Sequence, residues 1–279
     1  MKKKSGKIIW IIVLIIAILL FLICAGYLVK YFFVDPTKDI ERPSKTGPST
    51  SVSATKDEAT TTVVETQAPT QRFAETTAQI EETETVDFKQ LMEINPDIYA
   101  WIYIPNTNVD YPVAQSAKGE SDSFYLDHNV YKNYQFAGTI YSEKHNKKDF
   151  SDPVTLLYGH NMLNGSMFAS LHNFNNKEFF DNNNTIFVFT KDKLYTYLVY
   201  SAYQYDDRHI LNSFNMNDDY SFRDYLDSTL VERPYYCNVR EGIELTTDDR
   251  ILTLSTCMNG GGNVRYLVQG VLVDEQYTE

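Results

Sequence analysis

Residues 250–257, Arg250-Ile251-Leu252-Thr253-Leu254-Ser255-Thr256-Cys257, alternate polar and apolar side chains and are rich in β-formers, so they read as a strand that ends in a cysteine. The stretch Asn259-Gly260-Gly261-Gly262-Asn263 that follows must be a turn or loop, because three consecutive glycines lose too much backbone entropy inside a strand. Val264 to Val273 then resumes strand character. Two antiparallel neighbours joined by a short loop would bring Cys257 and Arg265 to the same end of a sheet. That matters chemically, since the nucleophilic form of cysteine is the thiolate and nearby positive charge favours it. The strand pattern alone is served as well by Cys257 as one more buried small side chain and Arg265 as a surface charge.

The segment Thr253-Leu254-Ser255-Thr256-Cys257 resembles the active-site strand of the sortases, in which a nucleophilic Cys closes a Thr-Leu-x-Thr-Cys motif and an essential Arg, here Arg265, lies on the next strand. Ser255 at the variable position suits class B. A third motif member, a His at the end of an earlier strand, is found in Tyr158-Gly159-His160-Asn161-Met162, followed by Asn164-Gly165-Ser166-Met167-Phe168. The resemblance covers Val86 to Val273. It implies a mostly β fold, a closed eight-stranded barrel with an N-terminal helix and a long helix between the sixth and seventh strands. It also implies a cysteine transpeptidase. Cys257 would attack the carbonyl of a threonine in a C-terminal sorting signal of a secreted protein, and His160 would protonate the departing amine and later deprotonate the incoming one. Arg265 would hold the oxyanion or the threonine, with Ser255 and Leu126 contributing to substrate binding. The acceptor would be a peptidoglycan precursor amine of the lipid II type, or a pilin lysine, and no cofactor is implied. One position departs from the family pattern: several class B sequences carry an acidic residue after the cysteine, where this chain has Met258.

Around that domain the chain is organised by composition. Ile8 to Val29 is an uncharged apolar run of 22 residues, about 33 Å as a helix against a bilayer core of roughly 30 Å. Lys2, Lys3, Lys4 and Lys7 precede it and only Lys30 follows closely, which places the N-terminus in the cytoplasm and the rest outside a single-pass cell-membrane anchor. A cleaved signal peptide is disfavoured by the bulky Leu20-Phe21-Leu22-Ile23, and a lipoprotein cysteine at Cys24 by the preceding Ile23. From Pro36 to Val86, Thr, Ser, Glu, Ala and Pro dominate without period, which reads as a solvated, disordered stalk whose ends lie about 40 Å apart. The expected division is a cytoplasmic tail over 1–7, an anchor over 8–34, a stalk over 35–85 and the catalytic domain over 86–279.

A net charge of −12, with basic residues concentrated only at the membrane flank, disfavours nucleic acid. Cys24, Cys237 and Cys257 make no disulfide framework, although a Cys237–Cys257 pair is not readable from sequence. Among the five histidines, His128, His145, His172 and His209 lie in polar, loop-like stretches and are most simply solvated or capping residues. No pair has the helical spacing of a zinc motif, so no catalytic metal is expected. The 21 Tyr and 16 Phe are scattered and fit barrel core and outer surface better than a sugar-binding stripe.

Within the domain, a helix is expected over 86–94 and strands over 99–104, 109–113, 138–142, 153–159, 185–190 and 193–205, with a hairpin turn at Lys191-Asp192. A short helical turn is expected over 167–174 and an amphipathic helix over 218–230. A hydrolytic cysteine peptidase and a non-catalytic surface-binding barrel remain open from sequence. The first differs only in resolving the thioester with water, and the second has no need of Cys257, His160 and Arg265 in register.

Overall fold

The computed structural model describes residues 3–33, 40, 42, 43, 86–258 and 262–278. Most of the stretch read as a stalk, and the first glycines of the loop after Cys257, lie outside the described residues. Helix α1 (Lys3–Phe33) carries Trp10–Val29, which is long and apolar enough to cross a membrane.

Asp87 starts the folded domain by accepting hydrogen bonds from the backbone N–H groups of Lys89 and Gln90, an N-cap that sets α2 (Phe88–Ile94). The strands are β1 (Ile98–Tyr103), β2 (Asp110–Ala114), β3 (Ile140–Tyr141), β4 (Val154–Tyr158), β5 (Thr185–Thr190), β6 (Lys193–Asp206), β7 (Cys237–Val239), β8 (Ile251–Cys257) and β9 (Val264–Tyr277). They pair in the order β5-β1-β2-β3-β4-β8-β9-β6, and β6 pairs back to β5, closing an eight-stranded barrel. The fourteen residues of β6 give it room for three partners: its first half bonds β5, its second half bonds β7, and β9 runs along the other edge. The short helices α3 (Lys177–Asn182) and α4 (Ile210–Ser213), like β7, are too brief to give a periodic signal and were not expected from sequence.

Strand β8 shows why the alternating pattern does not make a half-exposed strand. Leu252 and Leu254 face the barrel interior with Leu157, Tyr266 and Val268. Ile251 faces outward, into a second core with Val154, Leu156 and Leu267 that is roofed by Phe222, Tyr225 and Leu226 of α5 (Asp219–Thr229). That helix lies in the crossover between β6 and β8, the sixth and seventh strands of the ring. The polar residues of the outer face are buried with partners. Thr253 Oγ1 lies 3.0 Å from Tyr225 Oη, Tyr200 Oη donates to Gln269 Oε1 at 2.6 Å, and Gln269 Nε2 donates to Tyr203 Oη at 2.9 Å. Pairing of this kind is what makes buried polar groups tolerable.

Three residues within the stretch read as a stalk lie against the barrel. Arg42 donates to Asp110 Oδ1 at 2.9 Å and sits 4.4 Å above the Tyr103 ring. The Pro43 carbonyl accepts from the Asp87 N–H at 2.6 Å, and Ile40 packs with Trp101 and Phe189.

Candidate active site

Strands β4 and β8 run parallel, with Tyr158 opposite Ser255. Parallel neighbours end at the same rim, so the residues two positions further on, His160 and Cys257, emerge there together and on the same side as Tyr158 and Ser255. The Gly159 N–H donates to the Ser255 carbonyl at 3.1 Å, extending the pairing to the residue before His160. Glycine is needed there: a Cβ would stand 2.5 Å from Ile140 Cδ1 and 2.7 Å from Phe168 Cγ.

Antiparallel pairing of β8 with β9 makes Cys257 and Arg265 direct partners at that rim, as expected from the strand–loop–strand reading. The Cys257 thiol is exposed and free; Cys24 and the half-buried Cys237 are free too, so none is spent in a disulfide. Arg265 is half-buried and, among the described residues, donates only to its neighbour's Val264 carbonyl, at 3.3 Å, leaving most of the guanidinium fork for a ligand. Met258 folds back with its N–H donating to the Val264 carbonyl at 3.2 Å and its side chain against the interior core. An apolar residue therefore suits this position in the present chain.

The ring of His160 stacks on Phe136, with centroids 5.1 Å apart, and Nε2 lies 2.9 Å from the Leu126 carbonyl. A carbonyl only accepts, so Nε2 carries the hydrogen and Nδ1 is the basic nitrogen. Burial lowers the pKa of His160, with the Leu126 hydrogen bond and the Asp127 charge opposing. Leu126 itself is 41% exposed beside this ring, whereas Ser255, on the Cys257 face of β8, is only 5% exposed. Tyr141 and Tyr158 stack at 5.3 Å next to them, their hydroxyl pKa values raised by burial and by Glu143, and lowered in part by Arg265.

His172 is a site residue that sequence reasoning missed. It stands on the 3₁₀ turn Ala169–Asn175, where its Nε2 donates to the Cys257 carbonyl at 3.0 Å and its ring stacks on Tyr266 with centroids 4.9 Å apart. Asn161 Nδ2 donates to the same carbonyl at 3.0 Å. Two side chains from outside the strand thus fix the backbone at Cys257. No local signal could have found His172, because its partner is 85 residues away. Two of the other histidines, read as solvated or capping, have specific partners, and His209 does stand at the N-cap position of α4. His128 Nδ1 contacts the Phe124 carbonyl and Asp127 Oδ1, each at 2.8 Å, and His209 is hydrogen-bonded to the Glu143 carboxylate.

A family model described as a sortase domain matches residues 102–273. The chain is 32% identical over 191 residues to sortase B of Listeria monocytogenes, covering 67% of this chain and 74% of that one. It is 30% identical over 189 residues to sortase B of Staphylococcus aureus, again over 67% of this chain and 74% of the relative. Among solved structures, Clostridium perfringens sortase B superposes with a TM-score of 0.60 at 33% identity, over 67% of this chain and all of that one. A Staphylococcus aureus sortase B–substrate complex superposes with a TM-score of 0.58 at 27% identity, over 67% of this chain and 84% of that one.

Proposed function

The chain belongs to the sortase family, and from that premise we propose that it is a class B-type cysteine transpeptidase with Cys257 as nucleophile, His160 as general acid and base, and Arg265 as oxyanion and substrate holder. The observation that carries the reading is the convergence of β4, β8 and β9, which end or begin at one rim with a histidine, an exposed thiol and a half-buried guanidinium.

The Cys257 thiolate attacks the carbonyl carbon of a threonine in a C-terminal sorting signal, forming the C–S bond while Arg265 donates hydrogen bonds to the developing oxyanion. The C–N bond then breaks as His160 gives a proton to the departing amine, leaving a thioester. An incoming amine attacks the thioester carbon, His160 takes its proton, and Cys257 leaves as thiolate. Both steps balance without a cofactor. Leu126, exposed beside His160, supplies an apolar wall for the signal, and Ser255 acts from beneath the same surface. By the apolar length of α1 and the lysines before it, the protein sits in a cell membrane with its domain outside, and the acceptor is a peptidoglycan precursor amine.

The test uses the full chain in detergent with quenched sorting-signal peptides, with and without an amine acceptor, and mass spectrometry of both enzyme and products. Expected are cleavage after threonine, a thioester on Cys257, and an amide product that forms only with acceptor. Cys257→Ala removes all three. Turnover with water alone at an undiminished rate would assign a hydrolase, and a preference for a lysine side chain would assign pilus polymerisation. No cleavage together with a thiol unreactive to alkylation would favour a binding barrel.

A further inference from the structure

A second cluster of chemically competent groups lies outside the catalytic constellation. Glu143 sits on the segment leaving β3, and His209 stands at the head of the crossover, 66 residues later. His209 Nε2 is hydrogen-bonded to Glu143 Oε2. His145 Nδ1 lies 3.7 Å from that same oxygen, and the two imidazole rings are 5.2 Å apart at 49°. One ligating atom of each of the three residues lies within 4.8 Å of the others.

We propose that Glu143, His145 and His209 bind a divalent cation of the zinc type, which staples the β3–β4 connection to the β6–β8 crossover beside the Cys257 cleft. Ligand chemistry selects the ion. Two imidazole nitrogens and one carboxylate suit zinc and its neighbours, whereas calcium and magnesium want an oxygen cage. Bonds of about 2.1 Å in a tetrahedral site hold ligand atoms about 3.4 Å apart, so the cation opens the His209–Glu143 hydrogen bond and the His145 ring turns inward to complete the set. Burial is graded to suit entry: the Glu143 and His209 side chains are 18% and 25% exposed, and His145, at 46%, forms the rim. A cation bound at His209 Nε2 takes the place of its hydrogen bond to Glu143. Three protein ligands leave a fourth position for water.

The placement gives the site its consequence. Glu143 is two residues beyond Tyr141, whose ring stacks on Tyr158, and Tyr158 is the β4 partner of Ser255. A cation there stiffens the connection that flanks the cleft and offsets the Glu143 charge that acts on Tyr141 and Tyr158. Sequence spacing could not reveal it, because the ligands come from two connections that only the closed barrel brings together.

Zinc retention reads this site whether or not the chain transfers peptides. The full-length protein in detergent is stripped with chelator, titrated with Zn²⁺ against a chromophoric competitor, and separately loaded with Co²⁺ for its absorption spectrum. Expected are one equivalent of zinc and cobalt bands without a thiolate charge-transfer feature. His145→Ala and Glu143→Gln each weaken zinc by more than about tenfold, while Cys257→Ser and His172→Ala leave it unchanged. His145→Ala removes a half-exposed rim side chain, and circular dichroism checks that the variant remains folded. Zinc affinity unchanged in both ligand variants, a thiolate band with cobalt, or no retained zinc in folded protein would each overturn the proposal.

Discussion

At Cys257 a single backbone carbonyl receives hydrogen bonds from Asn161 and His172, while the side chain of the same residue stays open to solvent. The backbone of the residue is held while its thiol is left accessible, which suits the proposed nucleophile. Arg265, directly opposite, is expected to act through its planar fork. Arg265→Lys keeps the charge but loses bidentate donation, so kcat should fall about 10²- to 10³-fold in the peptide assay, with the fold intact by circular dichroism. His160 and His172 both have their pKa lowered chiefly by burial. A histidine with a depressed folded pKa contributes stability that is fully present above its unfolded value, near 6.5, and is lost as pH falls through the folded value, because the unfolded chain takes up the proton first. Urea unfolding should therefore show a midpoint that is flat above about pH 7 and declines through the acid range below about 6.5, with a shallower decline in His172→Gln. An identical decline in that variant would remove His172 from the account.

At the scale of elements, the crossover helix α5 does more than cover β8. Its Tyr225 hydroxyl is 3.0 Å from Thr253 Oγ1 and accepts from Gln269 Nε2 at 3.1 Å, so a polar network links the helix to both strands that carry Cys257 and Arg265. Tyr225→Phe leaves those buried groups short of a partner and should cost about 1–3 kcal/mol in denaturant unfolding. A cost near zero would mean that the network repairs itself with water. The alternation in 250–257 announced a strand, and burial on both faces was hidden by the same alternation, because Thr253 looks like a solvent position until α5 is in place. Element positions from α2 to β9 were largely legible in the periodicity, with most ends shifted by a residue or two, while β9 runs past the expected Val273 to Tyr277. The three-residue β7 was not, since a segment so short has no period and owes its strand form to the free edge of β6.

At the scale of the whole molecule, Arg42 holds a residue only nine positions beyond the end of α1 against the barrel face at Asp110, Tyr103 and Phe189. Nine residues reach at most about 32 Å when fully extended. With α1 in a bilayer, the domain is then held close to the surface rather than at the end of a long tether. In vesicles, energy transfer from a dye on the barrel to acceptor headgroups should drop in Arg42→Ala, and an unchanged signal would show that this contact does not set the spacing. The amino-acid sequence by itself determined the long apolar segment, the family, and the candidate thiol, imidazole and guanidinium, because these rest on local composition and on motifs whose members are close in the chain. Tertiary structure alone decided that His172 grips the Cys257 carbonyl, that Ser255 is covered, that Arg42 docks, and that Glu143, His145 and His209 converge. Each of those contacts joins segments tens of residues apart, and such distances are closed by the barrel's strand order, which no local pattern encodes.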